Sequence, residues 1–156
     1  MSPLVTRTLT LLGALLVLAG VNLSILHKER VIRSGRTIYL ALAPVDPRSL
    51  MQGDYMALRF RVADDIDTWR GDAPRARKAP LVVDDRGVAS LATGDGTLEI
   101  AFKVRGDRVW LGTNAYFFEE GTAGRYTEAR FGEFRIDPTS GEAVLVGLAD
   151  AELNPL

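Results

Sequence analysis

Thr8 to Leu26 is an unbroken run of 19 uncharged residues, TLTLLGALLVLAGVNLSIL. A helix rises about 1.5 Å per residue, so roughly 20 apolar residues cross a bilayer core of about 30 Å. The run is just long enough. Arg7 and the N-terminal amine precede it, and His27, Lys28, Glu29 and Arg30 follow it. A cleaved signal peptide would carry a shorter apolar core and a small-x-small cleavage site. Leu18-Ala19-Gly20-Val21 would resemble a lipoprotein signal if residue 21 were Cys, but it is Val. A buried core helix is a poor account of so long an uncharged run at the extreme N-terminus. The expectation is an uncleaved signal anchor over residues 1–30, in contact with the lipid bilayer through residues 8–26.

Orientation has two opposed signals. Lys28, Arg30, Arg33 and Arg36 follow the span, against Arg7 before it, and basic flanks normally stay cytoplasmic. A short N-terminal tail with a long C-terminal domain is instead the layout of an anchor that exports its domain.

From Val31 onward 16 basic residues face 19 acidic ones. That balance argues against a nucleic-acid binder, which would carry a basic excess. The chain has no Cys, which excludes disulfides, thiolate zinc sites, a Cys nucleophile and a lipid-modified Cys. Its single His is His27, so a His-based metal site or a Ser-His-Asp triad in the 31–156 domain is excluded too. No cofactor is expected.

The hydrophobic period in this domain is two, the mark of half-buried strands. Leu98, Ile100, Phe102 and Val104 alternate with polar or small residues in a strand over Thr97–Val104. Met56, Leu58, Phe60 and Val62 do so in a strand over Tyr55–Ala63, and Ile38, Leu40 and Leu42 in a third. Asp84-Asp85-Arg86-Gly87, Arg105-Gly106-Asp107-Arg108 and Asp137-Pro138-Thr139-Ser140-Gly141 join neighbouring strands as turns. Asp64–Arg70 reads as a helical turn or more, capped by Asp64 or Asp65. Arg125–Phe131 reads as a short helix or irregular strand, and Ala73–Pro80 as a solvated loop. The expected fold is mainly β: a small antiparallel sandwich or open barrel, with the N-terminal transmembrane helix and one or two short helical segments.

The densest chemistry lies in Pro44–Phe60, PVDPRSLMQGDYMALRF. Pro44 and Pro47 stiffen the approach. Gly53 permits a positive φ, and the Asp54 carboxylate beside it suits a turn. Asp46, Arg48 and Asp54 offer an Arg–carboxylate fork that would pin the loop. A turn held by its own polar side chains explains this spacing more simply than catalysis. Leu58 and Phe60 fall on the inward face; Tyr55 falls opposite, with a hydroxyl that can reach a polar partner.

Gly53-Asp54-Tyr55-Met56-Ala57-Leu58-Arg59-Phe60, led by Asp46, Pro47 and Arg48, resembles the signature of the GDYXXLXY family of bacterial membrane-anchored proteins. The signature's final Tyr is here Phe60, so its hydroxyl is not needed. A second stretch is also similar: Tyr116-Phe117-Phe118-Glu119-Glu120-Gly121, then Tyr126, Ala129, Arg130 and Phe131. The resemblance implies an N-terminal span in the bacterial inner membrane and a multi-span membrane protein as companion. It implies no reaction. With the usual layout of an exported domain, it favours the periplasmic side.

The second cluster holds Glu119, Glu120, Gly121, Arg125, Tyr126 and Arg130, with Glu128 and Glu133 nearby. Paired carboxylates can do acid–base work when their pKa values are pushed apart; an exposed ion-pair lattice is the commoner outcome. Three functions follow. The leading one is a non-catalytic binding or assembly module that docks on a multi-span partner through the Pro44–Tyr55 loop and the Tyr116–Phe131 segment. The second is a hydrolase scaffold resembling type I signal peptidases, which combine a span, a β domain and a Pro-containing lead into Gly-Asp with a Ser nucleophile and Lys base. In this sequence the nucleophile's position is Pro44, with Ser49 nearby and Lys103 available as a base. The third is a periplasmic small-ligand sensor walled by Trp69, Trp110, Tyr116, Phe117 and Phe118.

Overall fold

The computed structural model describes residues 3–43, 51–52 and 55–156. Helix α1 (Pro3–Ser34) is continuous through and beyond the uncharged run. Leu9, Leu11, Leu12, Leu15, Leu16, Leu18 and Leu23 are all more than half exposed. A helix apolar on every side, rather than along one stripe, suits a hydrocarbon solvent. It is long and apolar enough to cross a membrane. Its last turns belong to the β domain: Val31 is buried, and the Val31 carbonyl accepts from Gly35 N–H at 2.8 Å.

The domain is a six-stranded mixed sheet curled into a half-barrel. Its strands are β1 (Arg36–Ala41), β4 (Lys78–Val83), β5 (Val88–Leu91), β6 (Leu98–Ala101), β10 (Phe131–Ile136) and β11 (Ala143–Ala149). The order is β11-β10-β1-β5-β4-β6. All neighbours are antiparallel except β1 and β5, which run parallel with Tyr39 opposite Val88. That pair joins the β4–β5 hairpin to the β10–β11 hairpin, making one sheet where local turns alone would give two.

Alternation sets the buried face. Ile38 and Leu40 in β1 face Phe134 and Gly132 in β10. Ile38, Leu40, Leu81, Ile100, Phe134, Ile136 and Leu148 are almost completely buried. Each such side chain contributes about 1.5–3 kcal/mol by leaving water. Helix α2 (Arg61–Trp69) closes this face with Val62 and Ile66, one turn apart.

The three expected turns are present. In the 84–87 turn the Asp84 carboxylate accepts from Arg86 N–H at 2.9 Å and Val88 N–H at 2.8 Å, and Gly87 takes φ +85°. Two expected strands are shorter than their alternation suggests. The 97–104 run breaks at Phe102, whose N–H donates to the Arg77 carbonyl. Lys103–Arg105 (β7) then pairs with Arg108–Trp110 (β8) in a separate ribbon. Leu98, Ile100 and Phe102 are buried, but Val104, past the break, is exposed. The 55–63 run is strand only over Tyr55–Ala57, and α2 starts at Arg61 rather than Asp64. Phe60 occupies the N-cap without a side-chain hydrogen bond. Neither Asp64 nor Asp65 caps the helix. The Asp64 carboxylate is instead gripped by Arg59, through Nε at 3.1 Å to both oxygens and Nη2 at 3.0 Å.

Candidate docking sheet

A second sheet of three short strands brings the two motif regions together. Strand β3 (Tyr55–Ala57) lies between β2 (Met51–Gln52) and β9 (Ala115–Phe117), antiparallel to both. Tyr55 pairs with Phe117, Met56 with Tyr116 and Ala57 with Ala115. The ladder continues as Leu58 N–H donates to the Asn114 carbonyl at 2.6 Å.

Alternation divides this sheet's residues between core and surface. Met56, Leu58 and Phe60 are buried. Phe60 meets Phe134 edge-on, with ring centroids 5.1 Å apart. On the outer side the Tyr55 and Phe117 rings lie 5.7 Å apart, and Phe117 is 75% exposed. Tyr116 and Phe118 turn inward onto Tyr126, with centroids 5.3 and 5.2 Å away. Tyr126, buried on the short 3-10 turn Ala123–Tyr126, holds the segment after β9 against the core. Burial, reinforced by the neighbouring Tyr126 hydroxyl, pushes the Tyr116 phenol above its ordinary pKa.

Leu58 and Phe60 are thus core, and Tyr55 lies beside an exposed aromatic. Asp46, Pro47, Arg48, Ser49, Gly53 and Asp54 lie outside the described residues, and with them the expected loop fork and the Gly53 turn. Glu119, Glu120, Gly121, Arg125 and Arg130 are exposed around the 3-10 turn. No ion pair joins the cluster's charges among the described residues, so the expected lattice is not formed there. The segment is held by backbone acceptors instead: Thr122 donates to the Glu119 carbonyl at 2.6 Å, and Arg130 to the Ala129 carbonyl at 2.9 Å. An open cleft of about 470 Å³ lies between Phe117, Phe118, Glu119, Thr122, Arg125 and Tyr126. Of the aromatics expected to wall a ligand site, Phe117 and Phe118 line it, whereas Trp69 packs against the core. Lys103 is exposed on β7. No group of three His, Cys, Asp or Glu residues is placed to hold a metal ion among the described residues.

One arrangement escaped the sequence entirely. Glu142, just before β11, reaches helix α1 about two turns before its C-terminal end. Its Oε2 lies 2.7 Å from His27 Nε2, and its Oε1 accepts from Lys28. These contacts hold the Glu142 carboxyl below its usual pKa, Lys28 contributing most. Partners more than 100 residues apart leave no local signal. A neighbouring cleft of about 280 Å³ is lined by both Lys28 and Phe117. Lys28 stands two residues beyond the apolar run, so the exposed aromatic edge lies at the end of the domain nearest the apolar part of α1.

No curated protein and no solved structure matches the chain. A family described as GDYXXLXY protein matches residues 17–148, from within the apolar run to the last strand of the main sheet. The match takes in the 53–60 signature, the second aromatic segment and the sheet that unites them, and the chain belongs to the GDYXXLXY family.

Proposed function

We propose that this chain is a single-pass protein of the bacterial inner membrane whose β domain is a non-catalytic docking module on the periplasmic side. Its surface is the β2-β3-β9 sheet, and its partner is a multi-span membrane protein. The observation that carries the reading is Phe117: a large aromatic, 75% exposed, on an edge strand, in a cleft shared with Lys28. Solvating such a ring is unfavourable, and aromatics of this kind anchor interfaces. Strand edges also accept partner strands through their backbone. The cleft shared with Lys28 supports placing this edge near the bilayer, within reach of a membrane-embedded partner. Burial of Val31 and the family match from residue 17 support an anchor that stays attached.

The test is photo-crosslinking in native membranes from a benzoyl-phenylalanine placed at position 117, with position 82 as control. Val82 is also exposed, at 45%, but lies on β4. The docking reading expects an adduct to a multi-span polypeptide from 117 and none from 82, with Phe117→Asp lowering co-purification of that polypeptide at least tenfold. Equal yields from both positions would remove the surface from consideration. A C-terminal reporter active only in the cytoplasm would overturn the periplasmic placement.

A further inference from the structure

The β7–β8 ribbon carries a feature that docking does not use. Lys103 lies opposite Trp110, and Arg105 opposite Arg108, so register puts these four side chains on one face. The Arg105 guanidinium lies 4.3 Å over the Trp110 ring. Lys103, Arg105 and Trp110 line a cleft of about 500 Å³ that Lys28, Ser140 and Glu142 also line. That volume suits a small polar ligand. The charges facing the cleft are Lys28, Lys103, Arg105 and Glu142. His27 and Lys28 already engage the Glu142 carboxylate. Neither Lys103 nor Arg105 has a carboxylate partner among the described residues.

The position of this charge matters as much as its sign. Lys28 is two residues past Leu26, about 3 Å further along the helix axis. The headgroup layer outside the hydrocarbon is about 5–8 Å thick on each side. With α1 across a bilayer, Lys28 and the mouth of the cleft stand at headgroup level. The adjoining cleft shares Lys28, Gly112 and Ala143 and is walled in part by Tyr116, Val144 and Leu145. A cationic half beside an apolar half suits an amphiphile better than a free anion.

We propose that this cleft binds the phosphate of an anionic phospholipid headgroup through Lys103 and Arg105. The inference rests on α1 being a membrane anchor, as in the reading above, and not on the protein partner. Arg supplies a flat pair of donors to phosphate oxygens and Lys a mobile point charge. Basic side chains held at the membrane surface attract anionic headgroups.

The chain has two Trp residues, so Trp69→Phe leaves Trp110 as a fluorophore inside the cleft. The full chain with this change, in neutral detergent, is titrated with short-chain phosphatidylglycerol, short-chain phosphatidylcholine and inorganic phosphate. The expected result is a saturable Trp110 change with phosphatidylglycerol, at least tenfold tighter than with either other probe. Lys103→Gln weakens it at least tenfold, Lys103→Arg restores it, and the melting temperature stays unchanged because Lys103 is exposed. Equal affinity for phosphatidylcholine, equal affinity for inorganic phosphate, or indifference to Lys103→Gln would each overturn the proposal. Incorporation of the same protein into lipid nanodiscs is measured alongside. Failure to incorporate sinks the anchor reading with it, whereas normal incorporation without headgroup preference sinks the lipid site alone.

Discussion

Phe60 and Gly132 show how a surface-looking motif is tied to the core. A Cβ built on Gly132 would stand 2.7 Å from Phe60 Cε1, 3.0 Å from Leu145 Cδ1 and 3.1 Å from Phe134 Cε2. The β10 strand leaves out a side chain where the motif's last ring lies across it. Both rings are almost fully buried, so neither can swing away. Gly132→Ala is therefore expected to destabilise the domain by about 1–3 kcal/mol through overpacking. Phe60→Leu, which removes the nearest ring atoms, should make the same Gly132→Ala change less costly by at least about 0.5 kcal/mol. Urea melts of the four proteins in detergent check this, and additive costs would show that Phe60 does not set the need for Gly132. At this scale the sequence was informative: the burial of Leu58 and Phe60 follows from period-two alternation alone. Gly132 was invisible, because its constraint comes from a ring 72 positions away.

At the scale of elements, the hairpin turns were the most legible features. Two of the three, at 84–87 and 137–141, are held by an Asp carboxylate that accepts backbone N–H groups, and a turn after β11 that the pattern did not single out, at 150–154, works the same way. Asp137 accepts from Thr139 N–H at 2.8 Å and Ser140 N–H at 3.3 Å. Asp150 accepts from Glu152 and Asn154 N–H, both at 2.9 Å. The bonds favour the ionised carboxylate and hold both groups below the usual Asp pKa, chiefly through Thr139 N–H for Asp137 and the Asn154 side chain for Asp150. A carboxylate with a lowered folded pKa adds stability above its unfolded pKa of about 3.9, and that stability is lost as pH falls through the folded value. The melting temperature should thus drop between about pH 5 and pH 2. The drop should be shallower in Asp137→Asn and Asp150→Asn, whose amide oxygens still accept but do not titrate there. Circular dichroism melts over this range are the measurement, and identical slopes would assign the acid lability elsewhere. The strand-to-helix switch at Arg61 was not legible. Leu58, Phe60 and Val62 fit a strand's alternation, whereas Val62 and Ile66 fit a helix, and both patterns share Val62. The sheet packing resolves that ambiguity, since α2 must cover the face that β1 and β5 present.

For the whole molecule, what matters is how the domain sits on its N-terminal helix. Long-range pairings such as β1 with β5 and β3 with β9 carry no local mark, so sequence reading gave strands and motifs without their neighbours. The same holds for the junction. Helix α1 runs to Ser34 and β1 begins at Arg36, leaving no flexible linker, and Glu142 ties the β10–β11 turn to His27 and Lys28, about two turns before the helix end. His27 and Lys28 are about half exposed, so this contact adds little to folding stability. Its effect is on direction: it bears on the angle between helix α1 and the exposed β9 edge and β7–β8 cleft. Because the Glu142 pKa is lowered in the folded chain, the clamp is complete above the ordinary Glu range and is lost as pH falls through the folded value. The absence of Cys lets two introduced residues, at Leu23 and Thr93, carry spin labels without background. Pulsed dipolar distances between them should be narrowly distributed in the unmodified clamp at pH 7 and broad at pH 3. With Glu142→Gln they should be broader already at pH 7 and respond less to acid, while the domain's melting temperature at pH 7 moves by only a degree or two. A narrow distribution in Glu142→Gln would mean that Val31 burial and the helix–strand junction alone set the angle, and that the clamp is incidental to how the β9 edge is presented.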